Sequence, residues 1–200
     1  MALFDVSRMT VHSALSELAK EGVLRRVKGL GTFVARPGSH LTVVHVTDPA
    51  EDVRAQGGAY AIDIITLEAR LATRAERQIF KLVQDAQLFH LMAVHKSGGV
   101  SVALEDRLVN PIVAPDFLQV DFASTSAYAH LTGCAPFPDG RHVIRAVQAS
   151  ASDRKLLNLK SGEPCLEIER TTWMESSVVT HVKLRYPGLA YELSGAISRT

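Results

Sequence analysis

His95-Lys-Ser-Gly-Gly-Val-Ser-Val-Ala-Leu-Glu-Asp-Arg-Leu-Val-Asn-Pro111 carries the end of one apolar run and the whole of the next, and reads as an antiparallel hairpin. Successive side chains of a strand alternate between faces, so in the strand Val102 to Val109 Glu105 and Arg107 share one face and Leu104, Asp106 and Leu108 the other. His95 on the preceding strand then lies across from the Glu105 and Arg107 side. Outward from this hairpin, further strand-type runs occupy Leu41 to Val46, Ala59 to Leu67, Gln87 to His95, His142 to Ala149, Pro164 to Trp173, Val178 to Tyr186 and Ala190 to Ile197. Short helical stretches fall at Pro49 to Gln56, Thr73 to Lys81, Pro115 to Gln119, Ser126 to Leu131 and Ala151 to Leu157. Strands broken by helices without strict alternation predict an α+β domain with a mainly antiparallel sheet.

Residues 1–36 read differently. Val11, Ala14, Leu15, Leu18 and Ala19 recur at helical spacing, with Ser7 as N-cap and Gly22 as stop. Val23 to Val34 then gives two short β-type runs around Lys28-Gly-Leu-Gly31, a small wing with a basic tip. Arg36-Pro-Gly-Ser39 is turn-forming and aperiodic, so the expected domains are residues 1–36 and 37–200.

Composition limits the function. The 200 residues are 46% hydrophobic with a net charge of +1, enough for a real core, and no apolar run reaches the roughly 18 residues of a membrane span. No signal peptide is visible at the N-terminus, so a cytoplasmic protein with no membrane partner is expected. The charge is uneven: residues 1–36 carry +3 and the rest −2, compatible with a nucleic-acid contact confined to the head. Cys134 and Cys165 lack metal or disulfide spacing and are expected to be small, buried, reduced side chains. The eight histidines never fall in HxH, HxxxH or HExxH spacing, so no metal site is expected. Neither GxSxG nor a P-loop occurs, and no catalytic residue or cofactor is expected.

The head, Val6-Ser-Arg-Met-Thr-Val-His-Ser-Ala-Leu-Ser-Glu-Leu-Ala-Lys-Glu-Gly-Val-Leu24 with Lys28-Gly-Leu-Gly-Thr-Phe-Val34, resembles the recognition helix and wing of GntR-family winged helix-turn-helix repressors. The resemblance implies operator DNA as partner, with Ser7, Arg8, Thr10 and His12 facing base edges and phosphates from the helix N-terminal turn. Lys28, Gly29 and Gly31 would let the wing approach the backbone. His12 stands where the family commonly has Arg. Only Met1 to Asp5 precede this helix where the family has about two helices, so the head is read as a partial winged helix-turn-helix of a shortened gene product, with weakened DNA binding expected.

From Asp48-Pro-Ala-Glu-Asp-Val-Arg-Ala-Gln-Gly57 onward the chain resembles the UTRA effector-binding domain, in particular the HutC branch of histidine-utilisation repressors. The residues that carry this include His95 to Pro111, Ala114 to Phe122, Gly162 to Leu166, Arg170 to Trp173 and Pro187 to Tyr191. The resemblance implies a chorismate-lyase-like fold, a homodimeric repressor, and a small carboxylate inducer, urocanate. Urocanate has a carboxylate at one end and an imidazole at the other, so its pocket needs a fork donor, an acidic or imidazole partner and flat walls. Arg107 is the first candidate for the carboxylate, with Arg145 and Arg170 as further cations. Glu105 or His95 suits the imidazole, and Tyr128, Tyr186 or Tyr191 suits stacking or hydrogen bonding. A structural ion pair is the competing reading of Glu105 and Arg107. Arg141 and Arg145 stand where many UTRA domains carry acids, a change expected to favour anions if that strand lines the pocket. The alternative function is a lyase-like enzyme acting on a small carboxylate, although a shared fold transfers no activity.

Overall fold

A computed structural model describes residues 7–20, 24–27, 31–34, 48–134 and 139–193. The chain divides into two compact units, Met1–Val44 and His45–Thr200. The predicted linker and the run Leu41 to Val46 lie outside the described residues, as do Lys28 and Gly29.

In the first unit, α1 (Arg8–Lys20) is followed by β1 (Leu24–Val27) and β2 (Gly31–Val34), paired antiparallel. The hydroxyl of Ser7 accepts a hydrogen bond from the Thr10 backbone N–H at 3.1 Å, the predicted N-cap.

The second unit is one six-stranded antiparallel sheet. Its strands are β3 (Tyr60–Leu71), β4 (Gln87–Ser97), β5 (Val100–Val109), β6 (Asp139–Gln148), β7 (Pro164–Met174) and β8 (Ser177–Pro187), in the order β3-β4-β5-β8-β7-β6. The helices are α2 (Pro49–Ala55), α3 (Arg74–Phe80), α4 (Ala127–Cys134) and α5 (Ala151–Leu157), with a 3-10 turn at Phe117–Gln119. Local sequence explains their starts. Asp48 caps α2 ahead of Pro49, Thr73 and Glu76 form a capping box on α3, and Ser150 and Asp153 form one on α5. Gly98 and Gly99 close the β4–β5 hairpin with φ of 56° and 85°, values that an L side chain rarely adopts.

The register assigns the two faces. On the front, β4 presents Leu91, Ala93 and His95, β5 presents Ala103, Glu105 and Arg107, β8 presents Val182, Leu184 and Tyr186, and β7 presents Ile168 and Arg170. Part of the front is covered by Phe117, Phe122, Ala127 and Leu131, which bury Leu91, Ala93 and Val109. The back packs Leu88 and Leu108 against Phe80 of α3, and Val94, Leu104 and Cys165 against Leu157 of α5.

Two sequence expectations are corrected. Residues 190–193 are not a strand: both edges of β8 already pair, with β5 and with β7, and the chain turns away with the Ala190 N–H bonded to Pro187 O. Cys134 is exposed rather than buried, since it ends α4, whereas Cys165 is buried as expected.

Phe117 is fully buried, with ring centroids of Phe122, His130 and Phe89 at 5.2, 6.1 and 6.5 Å. Phe117→Ala is expected to destabilise the second unit by about 3–5 kcal/mol, measured by urea unfolding.

Candidate functional site

The front face gathers an ionised cluster at the centre of the sheet. Glu105, with 2% exposure, accepts a hydrogen bond from His95 Nε2 at 2.7 Å and pairs with the Nε of Arg107. Arg107 also donates through Nη1 to the Thr180 hydroxyl at 3.3 Å, and that hydroxyl donates to Leu108 O at 2.8 Å. On the other side of His95, Nδ1 lies 3.0 Å from the Tyr60 hydroxyl, and the Arg54 guanidinium sits 4.8 Å from the centre of the Tyr60 ring. The Nε2–H donates to the carboxylate, and Nδ1 shares its hydrogen bond with the Tyr60 hydroxyl. Burial, then the charges of Asp48 and Glu105, push the Tyr60 phenol up, which keeps it a donor.

Burial opposes the charge on Glu105, but the Arg107 charge and the hydrogen bond from His95 outweigh it and hold the carboxyl down at about 2. The arrangement fits the ion-pair reading of the sequence and also shows Arg107 committed to Glu105 and Thr180.

A second guanidinium stands on the same face. Arg107 pairs in register with Val182, and Val182 with Arg170 on its far side. Arg170 is 8% exposed, and its guanidinium carbon lies 4.8 Å from the Tyr128 ring centre. Burial, reinforced by the Arg107 charge, pushes the Arg170 guanidinium below its usual range. Near it, the buried hydroxyl of Thr172 has no hydrogen-bond partner among the described residues. The hydroxyl of Tyr186 is also buried, and that of Tyr191 lies near it without reaching hydrogen-bonding geometry. The two tyrosine rings stack at 3.9 Å between centroids.

These tyrosines wall a cavity of about 210 Å³ between α2 and the end of the β4–β5 hairpin, with Asp52, Gln56, Ser97 and Ser101 as its polar lining. Burial pushes both phenols up, Tyr191 and Tyr186 alike. Tyr186 lines the cavity and shares the front face of the sheet with Glu105, Arg107 and Arg170. The structure therefore brings together His95, Glu105, Arg107, Tyr128, Arg170, Tyr186 and Tyr191. It places Arg145 elsewhere: alternation turns Arg141 and Arg145 to the back face, where Arg145 pairs with Glu169 at 2.5 Å. Sequence reading missed Tyr60, Thr172 and Thr180, which carry no motif and acquire meaning only through register. It also missed Asp52, whose place on α2 gave no hint of a cavity. In the first unit, Ser7, Thr10 and His12 lie at the N-terminal turn of α1, His12 exposed, and Gly31 opens β2.

Glu105→Gln removes the charge that Arg107 faces, and about 3–5 kcal/mol of destabilisation is expected, as for one partner lost from a buried pair. With the folded carboxyl depressed, the wild-type stabilisation is complete above the ordinary value of 4.5 and is lost as pH falls toward about 2. Urea unfolding at a series of pH values should show a steeper acid loss in wild type than in the variant.

Residues 1–34 match the gntR family of bacterial regulatory proteins, and residues 55–192 match the UTRA domain. The chain is 38% identical to the histidine utilization repressor of Pseudomonas putida over 96% of its own length and 78% of the relative's. It is 36% identical to that of Klebsiella aerogenes over 98% of the chain and 81% of the relative. Among solved structures, the C-terminal domain of the histidine utilization repressor from Pseudomonas syringae pv. tomato str. DC3000 superposes with a TM-score of 0.68 at 35% identity, covering 70% of this chain and 100% of that one. PhnF from Mycobacterium smegmatis shares the fold, with a TM-score of 0.69 at 21% identity over 98% of this chain and 88% of that one. With a front-face cluster and cavity in a UTRA domain and a recognition-type helix and wing ahead of it, this chain belongs to the gntR family of bacterial regulatory proteins, alongside the histidine utilization repressors.

Proposed function

We propose that the protein is a cytoplasmic, homodimeric repressor of histidine utilisation genes, a sensor rather than an enzyme, whose inducer is urocanate bound at the front face of the UTRA domain. The observation that carries this reading is the buried patch of Arg170, Arg107 and the hydroxyls of Thr172 and Tyr186, next to a cavity walled by two stacked tyrosines. Two guanidiniums beside each other in a desolvated site are costly, and a carboxylate between them relieves that cost. In this reading the Arg170 guanidinium makes the direct contact and Arg107, paired with Glu105, supplies neighbouring charge. The planar remainder of urocanate then lies in the cavity against the stacked tyrosine pair, with its imidazole N–H toward Asp52. The cavity is smaller than a drug-sized pocket, which suits a metabolite of about ten non-hydrogen atoms.

Binding then favours a dimer state that no longer matches the two half-sites of a pseudo-palindromic operator, to an extent bounded by differential affinity.

Scanning fluorimetry against urocanate, histidine, glutamate and imidazole-propionate tests the sensor. Urocanate at a hundredfold excess over its Kd should raise Tm by roughly 5–10 °C, with its absorbance unchanged and no product formed. Arg170→Gln should weaken binding at least tenfold, about the loss of one charge-assisted contact. No stabilisation by urocanate removes this inducer, and turnover replaces the sensor with an enzyme.

A further inference from the structure

A second constellation lies on the cover of the sheet, apart from the front-face cluster. His130 and Cys134 stand one turn apart on α4, and Asp116 immediately precedes the 3-10 turn. His130 Nε2 lies 3.5 Å from Cys134 Sγ and 3.3 Å from Asp116 Oδ1, and all three ligand atoms fall within 4.8 Å of one another. The two separations from His130 Nε2 are those of ligands around a common metal. With Zn–S of about 2.3 Å, Zn–N of about 2.05 Å and Zn–O of about 2.1 Å, tetrahedral angles require S to N of about 3.6 Å and N to O of about 3.4 Å.

We propose that Asp116, His130 and Cys134 form a binding site for a zinc-class divalent ion that fastens α4 to the 3-10 turn. Thiolate and imidazole with one carboxylate suit borderline-soft zinc or cobalt, whereas magnesium and calcium prefer sites built from oxygen. Packing keeps the imidazole in place, since its ring lies 6.1 Å from the centroid of fully buried Phe117. Asp116 and Cys134 are both exposed, so the fourth position opens to solvent and is filled by water. Two negative ligands and a neutral imidazole balance the charge of the ion. The expected absence of metal rested on histidine-to-histidine spacing, which a mixed His, Cys and Asp set does not display. α4 also carries Tyr128, which faces Arg170, so an ion here braces the element that covers that guanidinium.

The test uses the untagged full chain, stripped with chelator and titrated with cobalt. One equivalent should produce visible bands of tetrahedral intensity and a near-ultraviolet thiolate-to-cobalt charge-transfer band, both displaced by zinc. Cys134→Ser should abolish the charge-transfer band, Cys165→Ser should leave it intact, and His130→Gln should weaken zinc binding at least tenfold by calorimetry. Circular dichroism verifies that each variant is folded. Absence of the band in wild type overturns the site, as does a band that survives Cys134→Ser or a zinc affinity unchanged by His130→Gln. These readouts require no effector, so failure of the urocanate assignment leaves them unaffected.

Discussion

Glu105 is a carboxylate kept charged inside the sheet, and its needs constrain the strands around it. Removing an ion from water costs several kcal/mol even after relaxation, so the charge persists only where geometry answers it. The answers come from His95 on β4, Arg107 on β5 itself and, through Arg107, Thr180 on β8. A slip of one residue in any of these strands would send its member of the group to the opposite face. The cluster therefore works as a register lock for the middle of the sheet, and apolar packing fills in around it. The same lock fixes the neighbours that matter for a ligand, since Arg170 reaches the front face through the register of β7 on β8.

The lock also divides the labour between two guanidiniums of similar burial. Arg107 answers an internal carboxylate directly. Arg170 is bordered by the Tyr128 ring, and burial and the charge of Arg107 disfavour its charge while that of Glu105 favours it. An anion placed among these groups gains from both cations while disturbing neither the Glu105 pair nor the chain of contacts through His95 and Tyr60. The ionised cluster thus holds the scaffold, while the buried hydroxyls of Thr172 and Tyr186 on the same face have no hydrogen-bond partner among the described residues.

Elements with strong local signals were legible in the sequence. The hairpin from β4 to β5, the N-cap Ser7, and the shared face of His95, Glu105 and Arg107 all follow from period and local chemistry. What depends on pairing between distant strands was not. Whether Arg145 joins Arg170 on the front turns on the alternation of β6 and β7 about their shared register, and a lone cationic residue in a strand gives no sign of its face. In the last apolar run, residues 190–193 turn away from the sheet rather than extending as a strand, both edges of β8 being already paired. Thr172 and Thr180 illustrate the remaining gap, because a threonine in a strand is ordinary until its neighbours across the sheet are known.

Both faces of the sheet carry ionic pairs, and burial decides what each pair is worth. On the back, Arg145 pairs with Glu169, and His90 pairs with Asp106, with the Arg145 and Asp106 side chains 47% and 32% exposed. Pairs so open to water contribute about 0–1 kcal/mol, since solvent screens the attraction and ordering the side chains opposes it. Arg141 and Arg145 on that face therefore contribute surface charge and lie outside the cavity lining. Equivalent chemistry on the front, at a few per cent exposure, cannot be exchanged so freely, because each buried charge there requires its partner. The position of an arginine in the alternation of its strand, more than its presence in the sequence, thus decides whether it can take part in recognising a carboxylate.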